Sequence, residues 1–399
     1  MALIFLQYFH IQNNIMTEQF LAHFRFNVIE ISGLSLLFLF FIIQLFYYLR
    51  YYRKPYIYAK NIEANEGFSS AKPIVSIIIV SENEVVSLKD NLPVILEQDY
   101  PEYEVIVVNN GSTDESDELL RSLELSYPNL YHTYLPYSND RKMDRRKLAL
   151  TIGVKAANND VLVFTEPYCK PVSNKWLETM LRELTPEKDI VLGYSFFSKT
   201  KTFFNRMARF DNLLFSMQCF SMAIMQKPYA GNYRNLVFRR QLFFDNKGFA
   251  SLLHIENGEG LFISQVLTPT NTSVSLSQDS FIETNLDDFT LWRQIKRSYF
   301  SIRPYLKSSA PTVFKMETYS RCFFYLLLIA SVSYSIIFQQ WALLGLSVFL
   351  FLVRLVIQLI ILNKISQYFK SGKFHISLLV LDIIQPLYNL KFKNWLKRH

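Results

Sequence analysis

Glycine is scarce in this 399-residue chain, and cysteine scarcer still: three residues, Cys169, Cys219 and Cys322. An odd, widely spaced set of thiols offers neither a disulfide framework nor a metal-ligand pattern, and reads as three reduced cysteines. No low-complexity tract and no internal repeat is present, which excludes a disordered chain and a solenoid. Signatures of RNA- or DNA-binding modules are missing too. The formal net charge of +8 therefore points to an anionic membrane surface or a phosphorylated substrate rather than to nucleic acid. A cleaved signal peptide would need an early basic segment and a small-residue cleavage site, and neither accompanies the first apolar run. Whether the chain starts at Met1 or Met16 stays open.

What is present is apolar and aromatic. Half the residues are hydrophobic, with 35 Phe and 24 Tyr, enough for a soluble domain plus membrane segments. Residues 31–49 form an uncharged run long enough to cross a bilayer as a helix. Tyr47, Tyr48, Tyr51 and Tyr52 read as an aromatic belt at its end, and Arg50, Arg53 and Lys54 follow. The positive-inside rule then places the next domain in the cytoplasm, so residues 1–57 are expected to be an N-terminal anchor segment in the inner (cytoplasmic) membrane. Further spans are expected at about 322–338 and 343–362 within a C-terminal membrane region, 301–399, making the chain multi-pass. Residues 376–390 are short and interrupted by Asp382, Gln385 and Pro386, and read as re-entrant or interfacial. A fourth crossing would put the basic tail on the wrong side. Arg354 lies inside the second of these spans; it either pairs with Asp382 or snorkels to an interface.

Between the apolar regions, beyond a polar linker at 58–72, residues 73–300 alternate β-branched runs with helical patterns. Strands are expected at 75–80, 103–108, 131–135, 161–165 and 190–197, and helices at 84–98, 112–123, 145–157, 176–184 and from 202 to about 225. Ser112, Thr113 and Asp114 read as the cap of the second helix. That order predicts an α/β domain with a mixed, mostly parallel sheet and a ligand crevice at its strand ends. A helix is also expected from Gly258 to Val266. Residues 287–299, with Trp292, Arg293, Lys296 and Arg297, predict a basic amphipathic helix, interfacial or simply exposed.

Several motifs carry chemistry in this frame: Ser81-Glu82-Asn83-Glu84, Asn109-Asn110-Gly111-Ser112-Thr113-Asp114, Arg145-Arg146-Lys147-Leu148-Ala149-Leu150, Glu166-Pro167-Tyr168, Asn257-Gly258-Glu259-Gly260 and Gln294-Ile295-Lys296-Arg297. In order and spacing they resemble a membrane-anchored family-2 glycosyltransferase with a nucleotide-sugar-binding (GT-A) domain, over roughly residues 40–390. The resemblance implies transfer of a sugar from a nucleotide-diphosphate donor to a lipid-linked or envelope glycan acceptor, with inversion, in polysaccharide biosynthesis. It implies donor contacts from Asn83, Glu84, Asn109, Asn110, Asp114, Arg146 and Glu166. It makes Glu259 the base, and sets Trp292, Gln294 and Arg297 against acceptor or diphosphate. Gly231-Asn232 and Arg234-Asn235 resemble the stretch before the acceptor site.

Three acidic positions depart from the family pattern. Asn109-Asn110 replaces two aspartates, although asparagine still hydrogen-bonds a base edge. Glu166-Pro167-Tyr168 replaces the acid-any-acid motif that holds Mg2+ or Mn2+ on the diphosphate, leaving Glu166 as the single hard ligand. Around Glu259 the run of acids is reduced, with Glu256 nearby. The alternative reading is accordingly a catalytically impaired relative that binds a partner glycosyltransferase or a lipid-linked glycan as a scaffold. A transporter would show more mid-membrane polar residues than Arg354 and Asp382.

Overall fold

The computed structural model describes residues 26–64, 72–137, 145–256, 258–286 and 289–396. Met1, Met16, residues 65–71 of the polar linker, Asn257, Asp287 and the end of the basic tail lie outside them.

The β-branched runs form strands where the pattern placed them: β1 Val75–Ser81, β2 Tyr103–Asn109, β3 Leu130–Tyr134 and β4 Val161–Thr165. Helices α3 Val85–Leu96, α4 Ser116–Ser126 and α5 Arg145–Ala156 connect them; α1 Val28–Tyr47 and α2 Lys54–Ala64 precede the sheet. These four strands are parallel in the order β3-β2-β1-β4. β8 Leu236–Arg239 then joins antiparallel to β4 and to β6 Ile190–Gly193, and β9 Thr272–Ser275 closes the seven-stranded sheet parallel to β6. The result is a mixed, mostly parallel sheet of GT-A type. β1 is buried along its whole length, and its side chains alternate between layers. Val75, Ile77 and Ile79 face α3, α4 and α6 (Trp176–Leu181), whereas Ile78 and Val80 face α5 and the layer beyond. Each such buried side chain contributes roughly 1.5–3 kcal/mol.

The run 190–197 is not one strand. It divides at Tyr194 into β6 and β7 Ser195–Phe197, which belongs to a small sheet with β5 Cys169–Pro171 and β10 Ile282–Thr284. The break has a local cause. A Cβ on Gly193 would lie 2.4 Å from Asn235 Cγ. The bare glycine admits the Asn235 amide, whose Nδ2 donates to the Tyr194 carbonyl at 2.9 Å. The helix after β2 also starts later than its expected cap. Asp114 serves two helices at once, accepting from Val85 N at 3.0 Å and from Ser116 N at 3.1 Å.

Among the described residues, three helical stretches are long and apolar enough to cross a membrane: Val28–Ile62, Ala310–Ile337 and Trp341–Tyr368. The first comprises α1 Val28–Tyr47, a π-helical turn Tyr48–Tyr52 and α2 Lys54–Ala64, which runs on into the expected linker. Asn27 and Glu30 close a reciprocal capping box at its start, which moves the helix start ahead of residue 31. The tyrosines at its end form no exposed belt: Tyr47, Tyr48 and Tyr52 are buried in the main core. α7 Phe203–Ile224 lies beside them, and Gln218 donates to Tyr52 Oη at 3.1 Å.

α8 Arg240–Asp245, α9 Glu259–Val266 and α10 Phe289–Ile302 precede α11 Ala310–Ile337 and α12 Trp341–Tyr368. The last helix, α13 Ser377–Leu396, runs unbroken through Pro386. Arg354 does not snorkel. It is 2 % exposed, and its Nη2 donates to Asp382 Oδ2 at 2.8 Å. Arg321 donates to the other Asp382 oxygen at 3.0 Å, and Gln44 and Tyr48 accept from Arg354 at 3.1 Å.

Candidate active site

A cleft of about 720 Å³ opens at the C-terminal ends of β1 and β4. It lies where chain crossovers leave strand ends uncovered, the usual ligand position in such sheets. Glu82, Asn83 and Glu84 line one end, Glu166, Arg146 and Glu259 the middle, and Arg321, Gln385 and Asn389 of the C-terminal helices the other. Eight residues expected at the site meet in this one space: Asn83, Glu84, Arg146, Glu166, Glu259, Trp292, Gln294 and Arg297. Tyr168 is part of the wall and does not plug it.

At its centre a single guanidinium joins two carboxylates. Arg146, in the first turn of α5, donates from Nη2 to Glu166 Oε1 and from Nε to Glu259 Oε1 at 3.1 Å. Glu166 follows β4, and Glu259 opens α9; their side chains are 4 % and 10 % exposed, that of Arg146 31 %. Burial pushes the Glu166 carboxyl above the usual carboxylate range, and Arg146 only partly offsets this. Arg146 is held charged: burial opposes its charge, but Glu166 and Glu259 outweigh it. Glu259 Oε2 is buried without a hydrogen-bond partner.

The neighbours of Arg146 do not share its role. Arg145 donates to the Pro136 carbonyl at 2.8 Å. Lys147, 1 % exposed, donates to the carbonyls of Leu252 and Ile255, tying down the chain that leads to Glu259.

Asn109, Asn110 and Asp114 do not line the cleft; loop architecture engages them instead. Asn109 Oδ1 accepts from Ser112 N at 3.0 Å, and Asn110 Nδ2 donates to Glu82 Oε2 at 2.6 Å. After Asn110 the chain turns at Gly111, whose φ of +73° and crowding by the Leu135 and Tyr137 backbone leave no room for a side chain. Burial works against the Asp114 charge, but hydrogen bonds from Ser116 and Val85 bring its carboxyl below the usual range. Asn83 adopts positive φ and accepts from Thr113 N at 2.8 Å, so its amide joins the β1 and β2 loops.

On the opposite wall, Trp292 is 2 % exposed, and its ring packs among Phe204, Phe289, Tyr388 and Phe392. Lys296 sits 4.7 Å over that ring and donates to Asp211 Oδ2 at 2.7 Å. Gln294 is exposed, and Arg297 pairs with Glu256 at 3.3 Å.

The residues present do not fit a divalent cation. The Arg146 side chain spans the two carboxylates that would have to hold it, and among the described residues no three His, Cys, Asp or Glu side chains are grouped as ligands. Nor is Cys169 a nucleophile; burial pushes its thiol up to about 12.

Two cleft arginines were not anticipated as site residues. Arg321 directly precedes the stretch read as a membrane helix, and nothing local marks it as cavity-facing. Arg234 was noted only for its neighbourhood; the signal available was an arginine two residues before a buried apolar strand.

Comparison with known proteins bears on this geometry. The family described as Glycosyl transferase family 2 matches residues 76–252. The "Glycosyltransferase AglE" of Haloferax volcanii is 31 % identical over 112 residues. That match spans 28 % of this chain and 35 % of that protein, so only about a third of the relative is covered. Among solved structures, a mannosyltransferase, PcManGT from Pyrobaculum calidifontis, in complex with GDP-Man and Mn2+, superposes with a TM-score of 0.51 at 15 % identity. It covers 83 % of this chain and 98 % of its own, which shows a shared fold. S. aureus TarS with UDP-GlcNAc gives 0.39 at 15 % identity, over 62 % of this chain and 66 % of that one.

Proposed function

We propose that the protein is a family 2 glycosyltransferase, the family that matches residues 76–252, and that it transfers a sugar from a nucleotide-diphosphate donor to an acceptor reaching the cleft from the lipid side. The observation that carries this reading is the single cleft that joins the β1 strand end to Arg321, Gln385 and Asn389 of the apolar helices. One ligand enters from each end, and they meet at Glu166, Arg146 and Glu259.

Glu82 and Asn83, both exposed at the rim, offer hydrogen bonds to a base and ribose, with half-buried Glu84 beside them. Glu259 Oε2, buried and unpartnered, is the atom that accepts a proton. The acceptor hydroxyl oxygen attacks the anomeric carbon, its proton passes to Glu259, and the bond from that carbon to the diphosphate oxygen breaks. One in-line displacement inverts the configuration. Arg146 holds Glu259 in place through Oε1. No step uses a metal ion, because Arg146 occupies the space between the carboxylates. A lipid-linked or envelope glycan acceptor, and placement of the domain on the cytoplasmic face of the inner membrane, suit the basic Arg50, Arg53 and Lys54 after the first apolar helix.

A second reading has its own support. With both carboxylates paired to Arg146, the cleft could bind a donor or a glycan without turnover, as a scaffold for a partner glycosyltransferase. Titration with UDP- and GDP-sugars followed by a turnover assay separates the two. Turnover that is lost in Glu259→Gln, with donor affinity kept, supports the enzyme. Binding with no turnover supports the scaffold, and no binding of any donor removes both.

A further inference from the structure

Arg234 is the unexplained cation of the cleft. It precedes β8 and lines the cavity, yet it is 6 % exposed. Among the described residues no carboxylate lies within ion-pair distance of it. Its Nη2 donates to Asn212 Oδ1 at 3.1 Å, and its guanidinium lies 5.3 Å from the centre of the Phe197 ring. Nη1 is buried without any hydrogen-bond partner.

Burying an arginine against an amide and an aromatic ring is costly unless something completes it. The surroundings are built to hold it there. Asn212 Nδ2 donates to the Ser195 carbonyl at 2.9 Å, which turns Oδ1 towards Arg234. The Arg234 carbonyl accepts from Thr165 Oγ1 at 3.1 Å, and its N–H donates to Asn232 Oδ1 at 3.1 Å. A fixed guanidinium with an unpartnered Nη1, on a residue that lines the cavity, matches an oxyanion, phosphate above all. Arg146 is already committed to Glu166 and Glu259, and Arg321 is tied to Asp382. Arg234 has no such carboxylate among the described residues, and its Nη1 is a donor to spare.

We propose that Arg234 is the phosphate-oxyanion subsite of the cleft and supplies there, without a metal ion, the counter-charge for a bound phosphate. The phosphate belongs either to a nucleoside diphosphate or to a phosphorylated lipid. The inference rests on the glycosyl-transfer reading for its ligand, but its test can fail separately.

The experiment uses the full chain in detergent micelles with EDTA present. UDP, GDP and inorganic pyrophosphate are titrated, with uridine and guanosine as phosphate-free controls, and vesicles containing a polyprenyl monophosphate form a second arm. The wild type should bind at least one phosphate probe in EDTA. Arg234→Gln should weaken that binding roughly 10- to 100-fold, leave any nucleoside binding unchanged, and leave the ligand-free melting temperature unchanged or higher. Loss confined to the diphosphates assigns the site to the donor; loss confined to the vesicles assigns it to a lipid phosphate. If Arg234→Gln does not fold, Arg234→Lys carries the test: it keeps the charge and should bind within about tenfold of wild type. Wild-type affinity in Arg234→Gln, a lowered melting temperature with unchanged affinity, or binding that appears only with added Mn2+ would each overturn the subsite. A wild type that binds no probe removes the subsite and the proposed function together.

Discussion

Arg146 joins Glu166 to Glu259, and removing it leaves two buried carboxylates facing one another without a counter-cation. Arg146→Ala should therefore destabilise the protein by roughly 2–3 kcal/mol, somewhat below the range for fully buried pairs because a third of the side chain is exposed; thermal melts would read this. Glu166 titrates in the opposite sense to most ion-paired acids. Its folded-state carboxyl is raised above the unfolded value, so its contribution is fully favourable below the usual carboxylate pKa. It is lost as pH rises through the raised folded value. Glu166→Gln should match wild type at the acid end and gain relative stability as pH increases. Melting curves across pH that show the opposite trend would contradict this. The family resemblance singled out Glu166 and Glu259, and both line the cleft. It could not reveal that Asn109, Asn110 and Asp114 are engaged in turns and caps, because that depends on which backbone N–H groups the loops leave open. Nor could it reveal the Arg146–Glu259 contact, whose partners lie 113 residues apart.

The elements were the most legible level. β1, β2 and β4 are buried on both faces and therefore read as continuous β-branched runs, and α7 follows its pattern from Thr202 onward. Errors arose where tertiary contacts override local pattern. Gly193 and Asn235 divide one run between two sheets, and tyrosines at the end of an apolar helix turn inward. The polar cluster of α11, α12 and α13 was half visible, as a pairing of Arg354 with Asp382. Its other arginine, Arg321, was not anticipated. Asp382→Ala removes a carboxylate shared by two buried arginines and should cost about 3–5 kcal/mol. Combining it with Arg354→Met should recover part of the loss, since one orphaned cation goes with it. A double variant no more stable than Asp382→Ala would show that the arginine does not depend on that carboxylate.

In the molecule as a whole, the sheet domain and the apolar helices share one core. Tyr368 Oη donates to the Leu276 carbonyl at 3.1 Å, Gln278 donates to the Tyr368 carbonyl at 2.9 Å, and Tyr194 pairs with Ser371 at 2.9 Å. Across the junction the Phe281 and Phe369 rings stack, and Tyr194 meets both edge-on. A chain truncated after residue 302 would expose that apolar surface and should be insoluble, as sedimentation of the expressed fragment would show. The same continuity lets one cleft reach from nucleotide-type polar loops to the buried ends of the apolar helices. Its test is transfer of labelled sugar from nucleotide donors into the lipid fraction of membranes carrying wild type or Glu259→Gln. The account predicts incorporation by wild type and a drop of about 100-fold or more in the variant. No incorporation from any donor, or equal incorporation by both proteins, would contradict it.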